Sequence, residues 1–384
     1  MKKLIALLLA AILCLSLAAC ATSNQQPAQT EQPAAAETPA ATDTDASTDT
    51  EAPADTEAPA AEPQASSNTE TSNTETSASA PDYVISVSVT TSDDSACNKA
   101  IYYMADLVKE KTNGRVELDV YPNGTMSNDV GSVEGVQMGT IGMTLVSSAN
   151  YTQFDSNQAV FDLPFLFPTK EDAYRFFESD LAAELAESLT DYGFHCFGYM
   201  DYGYRLLTND VKEVKSMADL KGMKIRTMSS TYQVKTWECL GTVPTVISFS
   251  ELFTALQQHT VDGQENPWGN IISQKFYEVQ KYATDTHHIL TICPLVMSRD
   301  VYESLPADLQ QIIDECAAET LIAARDMVNA EEATAVETAT AAGMTVTSAS
   351  DEMIAEMREA CQPVYDSMEK EIGDIVTRVE DFFA

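Results

Sequence analysis

Arg205 and Arg226 are residues whose type and setting could do chemistry, and the chemistry a guanidinium suits is pairing with a carboxylate. The sequence holds eight arginines against 59 aspartates and glutamates, for a formal net charge of −37, so each arginine placement is informative. Arg226 closes Lys221-Gly-Met-Lys-Ile-Arg226, where Ile225 and Thr227 take one strand face and Arg226 the other. Arg205 stands in Asp201-Tyr-Gly-Tyr-Arg-Leu-Leu-Thr-Asn209, among aromatic and apolar neighbours. A guanidinium is a planar fork that pairs bidentately with a carboxylate, a task lysine does less well. Taken alone, each arginine is equally well read as a surface strand position beside an acidic residue. The acidity of the chain does not forbid an anionic ligand. Charges more than about 8 Å away are largely screened at physiological salt, whereas a desolvated contact at about 4 Å and an effective dielectric of about 20 gives about 4 kcal/mol.

Residues 244–268 crowd further polar groups into one segment. Pro244 breaks the preceding element, and Ser248 with Glu251 three residues on fits a capping box. Leu252, Phe253, Ala255 and Leu256 fall at helical spacing and predict an amphipathic helix. Asp262-Gly263 then turns the chain, and Pro267 holds Asn266 extended. The expectation is a constrained polar loop carrying Glu265, Asn266 and Trp268, of a kind that more often holds a ligand than fills a core. Asp262 and Glu265 read as caps for backbone amides or as a brace for Arg226, rather than as a catalytic carboxylate pair.

Around these segments strands alternate with helices. A strand at 83–89 is followed by a helix over 95–112, a strand at 115–121, a helix near 129–138 and a strand at 141–146. A helix near 171–190 precedes strands at 194–200 and 203–208, a short helix near 216–220 and a strand at 222–228. This pattern predicts βαβ units, parallel sheet and an α/β fold. From Pro306 to about Ala342 runs a stretch rich in Ala, Glu and Leu, too long for one small lobe and suited to bracing two; residues 350–384 predict one or two further helices.

The N-terminal segment points outside the cell. Residues 1–20 have a basic start (Lys2, Lys3), an apolar run and small residues before a cysteine, which is a secretory signal. Leu17-Ala18-Ala19-Cys20 resembles a bacterial lipobox, with Cys20 the lipidated first residue. A two-chain anchor would hold stably, since each buried methylene contributes about 0.8 kcal/mol. Residues 21–80 have no lysine, arginine or large apolar residue and read as a disordered acidic tether. Such a coil spans roughly 45 Å and about 200 Å at full extension. No second apolar run reaches spanning length, and the acidity argues against nucleic acid or anionic lipid head groups as partners. Beyond Cys14 and Cys20, six scattered cysteines show neither metal spacing nor a C-x-x-C pair, and are expected to be mostly free thiols.

Catalysis is poorly supported. The four histidines are His195, His259 and the adjacent His287 and His288, and on a strand such neighbours point to opposite faces, a poor metal clamp. No H-E-x-x-H or G-x-S-x-G motif occurs. No enzyme, cofactor or metal is expected.

Seven motifs in register carry a family resemblance over nearly all of 82–330: Val108-Lys-Glu-Lys-Thr-Asn-Gly-Arg-Val-Glu-Leu, Tyr121-Pro-Asn-Gly, Asp162-Leu-Pro-Phe, Lys221-Gly-Met-Lys-Ile-Arg226, Phe249-Ser-Glu-Leu-Phe-Thr-Ala-Leu-Gln, Val261-Asp-Gly-Gln-Glu-Asn-Pro and Lys275-Phe-Tyr-Glu-Val-Gln-Lys-Tyr. The chain resembles the solute receptors of tripartite ATP-independent periplasmic (TRAP) transporters, the DctP type. The resemblance implies a two-lobe periplasmic-binding-protein-like (class II) fold with a long shared helix, lobe I being 81–203 plus 291–330 and lobe II 204–290 plus 331–384. It implies a receptor, expected as a monomer, that binds a small organic acid and delivers it to large and small integral-membrane subunits; with the lipobox at Cys20, it is expected at the outer face of the cell membrane on a lipid anchor. By the same resemblance Arg226 binds the ligand carboxylate, Arg205 and Asn266 complete the donor set and Phe249 packs beside it. Several positions depart from the family. Met126-Ser-Asn-Asp-Val130 replaces a segment that often ends in arginine, Trp268 stands where a smaller aliphatic is common, and Tyr204 precedes Arg205. These departures suggest a less polar distal pocket, with Trp268 and Tyr204 in the site, and a monocarboxylate with an apolar or aromatic end over a sugar acid or C4-dicarboxylate. An input module for a membrane sensor is the alternative use of the same binding site.

Overall fold

Two groups of parallel strands form, as the alternation predicts. In the first, β1 (Tyr83–Ser88) pairs in parallel with β2 (Val116–Tyr121) and β3 (Met143–Leu145), and helices Ala96–Lys111 and Asp129–Gln137 connect them. The computed structural model describes residues 80–384; the expected signal, Cys20 and all but the last residue of the expected tether lie outside the described residues. Helix Ala96–Lys111 starts where the Ser95 side chain accepts the Asn98 amide, and it buries Ile101, Met104 and Val108, one turn apart.

Between the parallel groups the sheet turns antiparallel. Two long strands, β4 (Phe194–Asn209) and β9 (Leu290–Ser298), pair with each other and join the second group, β5 (Lys224–Thr227), β6 (Val243–Val246) and β7 (Gly263–Pro267). The order is β2-β1-β3-β9-β4-β7-β5-β6, with β8 (Tyr282–Asp285) pairing with both β4 and β10 (Thr345–Ser348).

Three local expectations are corrected. The two strands at 194–200 and 203–208 are one 16-residue strand. Its register with β9 shifts between Asp201 and Tyr204, and from Arg205 onward it pairs with β7 and β8 instead. Gly203 makes the switch possible: its φ is +93°, and a Cβ there would meet Glu332 Oε1 at 2.1 Å. The polar segment before Trp268 is a strand rather than a loop. Lying between β4 and β5, all five residues of β7 are buried, and Asn266 faces Leu206 across the ladder. The capping box at Ser248 does not form; its hydroxyl meets that of Ser250 at 3.0 Å, although helix Phe249–Gln257 buries Leu252, Ala255 and Leu256 as expected.

Elsewhere the helix near 171–190 divides into Lys170–Phe177 and Asp180–Ser188, and residues 350–384 give three helices, Asp351–Ala360, Gln362–Ile372 and Ile375–Phe383. The long helix is Ala307–Ala341, 35 residues, or about 50 Å at 1.5 Å per residue. Leu309, Ile313, Ala317 and Val328 enter the core beneath β1 and β3, while Ala335 and Ala339 enter a separate core with Leu206 and Leu256. One helix therefore ties two cores. No helix among the described residues is long and apolar enough to cross a membrane. The six described cysteines are unpaired, and Cys97, Cys293, Cys316 and Cys361 are buried.

Candidate ligand site

The carboxyl ends of the parallel strands converge on one cavity. Thr90 and Thr91 follow β1, Val146 and Ser147 follow β3 and Met228 follows β5, and all line a space of about 450 Å³, counting the open volume at its mouth. This is where open α/β sheets hold ligands, and the size suits a small molecule. Arg205 from β4, Arg226 from β5, Asn266 from β7 and Phe249 at the head of its helix line the same space.

The two arginines, both 2 % exposed, have opposite settings. Arg226 donates Nε–H to the Ile247 carbonyl at 2.8 Å, and its Nη1 is buried with no hydrogen-bond partner among the described residues. Burial, with added repulsion from Arg205, lowers the Arg226 pKa to about 10, against the partial support of Glu265 and Asp129. An unpaired guanidinium nitrogen facing a cavity is a costly arrangement unless an anion completes it.

Arg205 is already engaged, with one Nη1–H left over. Its Nε and Nη2 donate to the Glu265 carboxylate at 2.5 and 2.8 Å, Nη2 also reaches the Glu265 carbonyl at 2.6 Å, and Nη1 donates to Thr291 Oγ1 at 3.2 Å. Burial alone would raise the Glu265 pKa, but the Arg205 charge and the His288 contact at 3.0 Å hold it well below the usual carboxylate range. Glu265 thus braces Arg205, not Arg226, while Asp262 does cap a backbone amide, that of Lys224 at 2.8 Å. The adjacent histidines do separate, but in the connection between β8 and β9 rather than on a strand: His288 is buried against Glu265 and Thr286, and His287 pairs with Asp285 at 3.0 Å.

Asn266 is also engaged. Its amide donates to Gln264 Oε1, and its carbonyl oxygen accepts from Asn270 at 2.9 Å and from Arg205 at 3.4 Å. Asn270 lines the cavity and leaves its own Oδ1 buried and unpartnered among the described residues. The four-residue spacing from Asn266 across a helix start was the available signal for it. Thr90, Thr91, Ser147, Tyr202, Thr291 and Asp129 are further polar cavity residues that sequence reasoning missed. Threonines beyond strand ends are too common to mark a site, and Asp129 is one acid among 59 acidic residues.

Two sequence candidates are not brought to the cavity. Tyr204 precedes Arg205 on β4, so alternation sends it to the opposite face. There its hydroxyl donates to the Phe167 carbonyl at 3.0 Å and its ring stacks on His287 at 4.8 Å. Trp268, two residues beyond Asn266, packs with Leu252, Leu256, Ile271 and Phe276. Phe249 stays at the cavity, half-buried and edge-on to Phe276 at 6.2 Å.

A mixed sheet with a cavity at the carboxyl ends of its parallel strands and a buried arginine lining it is the two-lobe architecture of the periplasmic-binding-protein class. The chain belongs to the DctP family of bacterial extracellular solute-binding proteins, family 7, whose model matches residues 87–371. A solute-binding protein of Verminephrobacter eiseniae is 35% identical over 287 residues, 75% of this chain and 85% of that one. The sugar acid binding protein DctPAm from Advenella mimigardefordensis, in complex with galactonate, has a similar structure with a TM-score of 0.77 at 29% identity, covering 79% of this chain and 98% of that chain. A TRAP periplasmic solute binding protein from Sulfurospirillum deleyianum, with bound succinate, matches with a TM-score of 0.74 at 29% identity, covering 78% and 99%. The family is one of solute-binding receptors, and this chain is a receptor of the TRAP type.

Proposed function

We propose that this receptor captures a small organic acid by its carboxylate and delivers it to the integral-membrane subunits of a TRAP transporter. The observation that carries the reading is the buried Arg226, which lines the cavity without a counter-charge and has a buried Nη1 with no partner among the described residues. The relatives bound to galactonate and succinate support a carboxylate as the ligand class. Arg226 forms the ion pair. The free N–H of Asn266 and the remaining Nη1–H of Arg205 complete the donor set, and Phe249 covers the ligand. Leu145, Val146 and Met228, rather than Trp268 and Tyr204, supply the apolar lining that favours a monocarboxylate with an apolar end.

Closure is a hinge motion of lobe I (81–203 plus 291–330) against lobe II (204–290 plus 331–384), with the register switch of β4 and the long helix as the crossing elements. The protein works as a monomer outside the cell membrane, held by a lipid on Cys20. Intact-mass analysis of protein from membranes tests the anchor: it should match a chain starting at Cys20 plus diacylglyceryl, and an unmodified soluble chain would contradict it. The binding reading is tested by titration calorimetry on a carboxylate panel. Binding should be saturable and lost in Arg226→Ala; binding unaffected by that change would overturn it.

A further inference from the structure

Arg226 is not the only charge that faces the cavity without a full set of partners. Asp129 opens helix Asp129–Gln137 and lines the same space. Its Oδ1 accepts the Thr90 hydroxyl at 2.5 Å, and its Oδ2, on a half-buried side chain, takes no hydrogen bond from the described residues. Asp129 and Arg226 line the cavity together, yet no contact within the 4.0 Å of an ion pair joins them. Arg205 and Glu265 cancel each other through their double hydrogen bond. The unsatisfied charges of the cavity are therefore one cation and one anion, held apart beside Leu145, Val146 and Met228.

A simple carboxylate fills only half of this pattern, because it pairs with Arg226 and leaves Asp129 as a like charge nearby. A dicarboxylate sets a second anion against it. A molecule that carries a protonated amine along with its carboxylate complements both ends and brings no net charge into the cavity. Resting on Arg226 as the carboxylate anchor, we propose that Asp129 is the specificity-determining residue of this cavity. Its ligand is then a zwitterionic monocarboxylate with an apolar side chain, of the chemical class of leucine or phenylalanine. A hydroxyl in place of the amine satisfies the hydrogen bond without the charge, so 2-hydroxy acids bind second best.

The test is calorimetric titration of the full chain and of Asp129→Asn with two matched series and one dicarboxylate. The series are 4-methylpentanoate, its 2-hydroxy form and leucine, and 3-phenylpropanoate, its 2-hydroxy form and phenylalanine; succinate completes the set. Wild type should prefer the amino member of at least one series by about tenfold or more over the unsubstituted acid. Asp129→Asn should abolish that preference while binding the unsubstituted acids and succinate as well as, or better than, wild type. Thr90→Val, which frees the Asp129 carboxylate from its holding hydroxyl, should shift the ratio in the same direction by a smaller factor. Tighter binding of an unsubstituted acid or succinate to wild type, or an unchanged preference in Asp129→Asn, would overturn the assignment of Asp129 alone. Failure of wild type to bind any carboxylate of the set would overturn the reading of Arg226 with it.

Discussion

Arg205 and Arg226 are equally buried in one cavity wall, and they divide two tasks between them. Arg205 is locked by Glu265, with His288 and Thr291 behind the pair, so its charge stabilises the junction of β4, β7 and β9. Arg226 has one backbone partner and a buried, unpaired Nη1, so its charge remains available. The contrast teaches that burial alone does not mark a binding arginine; what marks it is burial without compensation. A guanidinium held by a carboxylate builds the wall, and one without a counter-charge waits for an anion.

The sharpest way to break this comparison is to remove Glu265. Glu265→Ala leaves Arg205 buried and uncompensated, and should cost about 3–5 kcal/mol of unfolding free energy by denaturant titration. A loss below about 1 kcal/mol would mean that the pair does not hold the wall. Trp268→Ala should cost a similar amount, about 3–5 kcal/mol, because it opens a cavity among Leu252, Leu256 and Phe276. Affinity per folded molecule should hardly change, which separates packing from ligand contact. Arg226→Ala should do the reverse. Stability should stay the same or rise, because a desolvated charge is removed, while carboxylate affinity falls by about a hundredfold or more.

Acid titration refines the same contrast. The Glu265 pKa in the folded protein is depressed from 4.5 to about 2. A depressed acid contributes stability above its unfolded pKa and loses it as pH falls through the folded value. The stability gap between wild type and Glu265→Gln should therefore be full above about pH 5 and shrink between about pH 4.5 and 2. A gap independent of pH would contradict the ion pair. The smallest effect is expected at Tyr204→Phe, about 0.5–1.5 kcal/mol of stability from the lost bond to the Phe167 carbonyl, with ligand affinity unchanged.

Local periodicity was readable wherever one face is buried. Helix Ala96–Lys111 and β1 fall within a residue or so of their expected bounds, because Ser95 and the spacing of Ile101, Met104 and Val108 are local facts. The motif around Arg226 likewise placed it on a strand. What local reading could not supply was partnership across distance. Glu265 and Arg205 are 60 residues apart, and only strand pairing brings them together. For the same reason Asn266 looked like a loop residue: Asp-Gly and Asn-Pro are turn signals, and the pairing of β7 on both edges overrides them. Tyr204 and Trp268 were drawn into the site by proximity in sequence, yet strand alternation and the start of a helix send them elsewhere. Asp129 lies in the segment 126–130 that departs from the family, but nothing local marked it as a site residue, since its significance lies in sharing a cavity with Arg226.

The most direct test of the division between the arginines is the affinity of Arg226→Ala for whichever acid wild type binds, measured by titration calorimetry on folded protein. A fall of about a hundredfold or more, with the melting temperature kept or raised, is the expected result. Affinity within about threefold of wild type, less than about 0.7 kcal/mol, would mean that the carboxylate is anchored elsewhere.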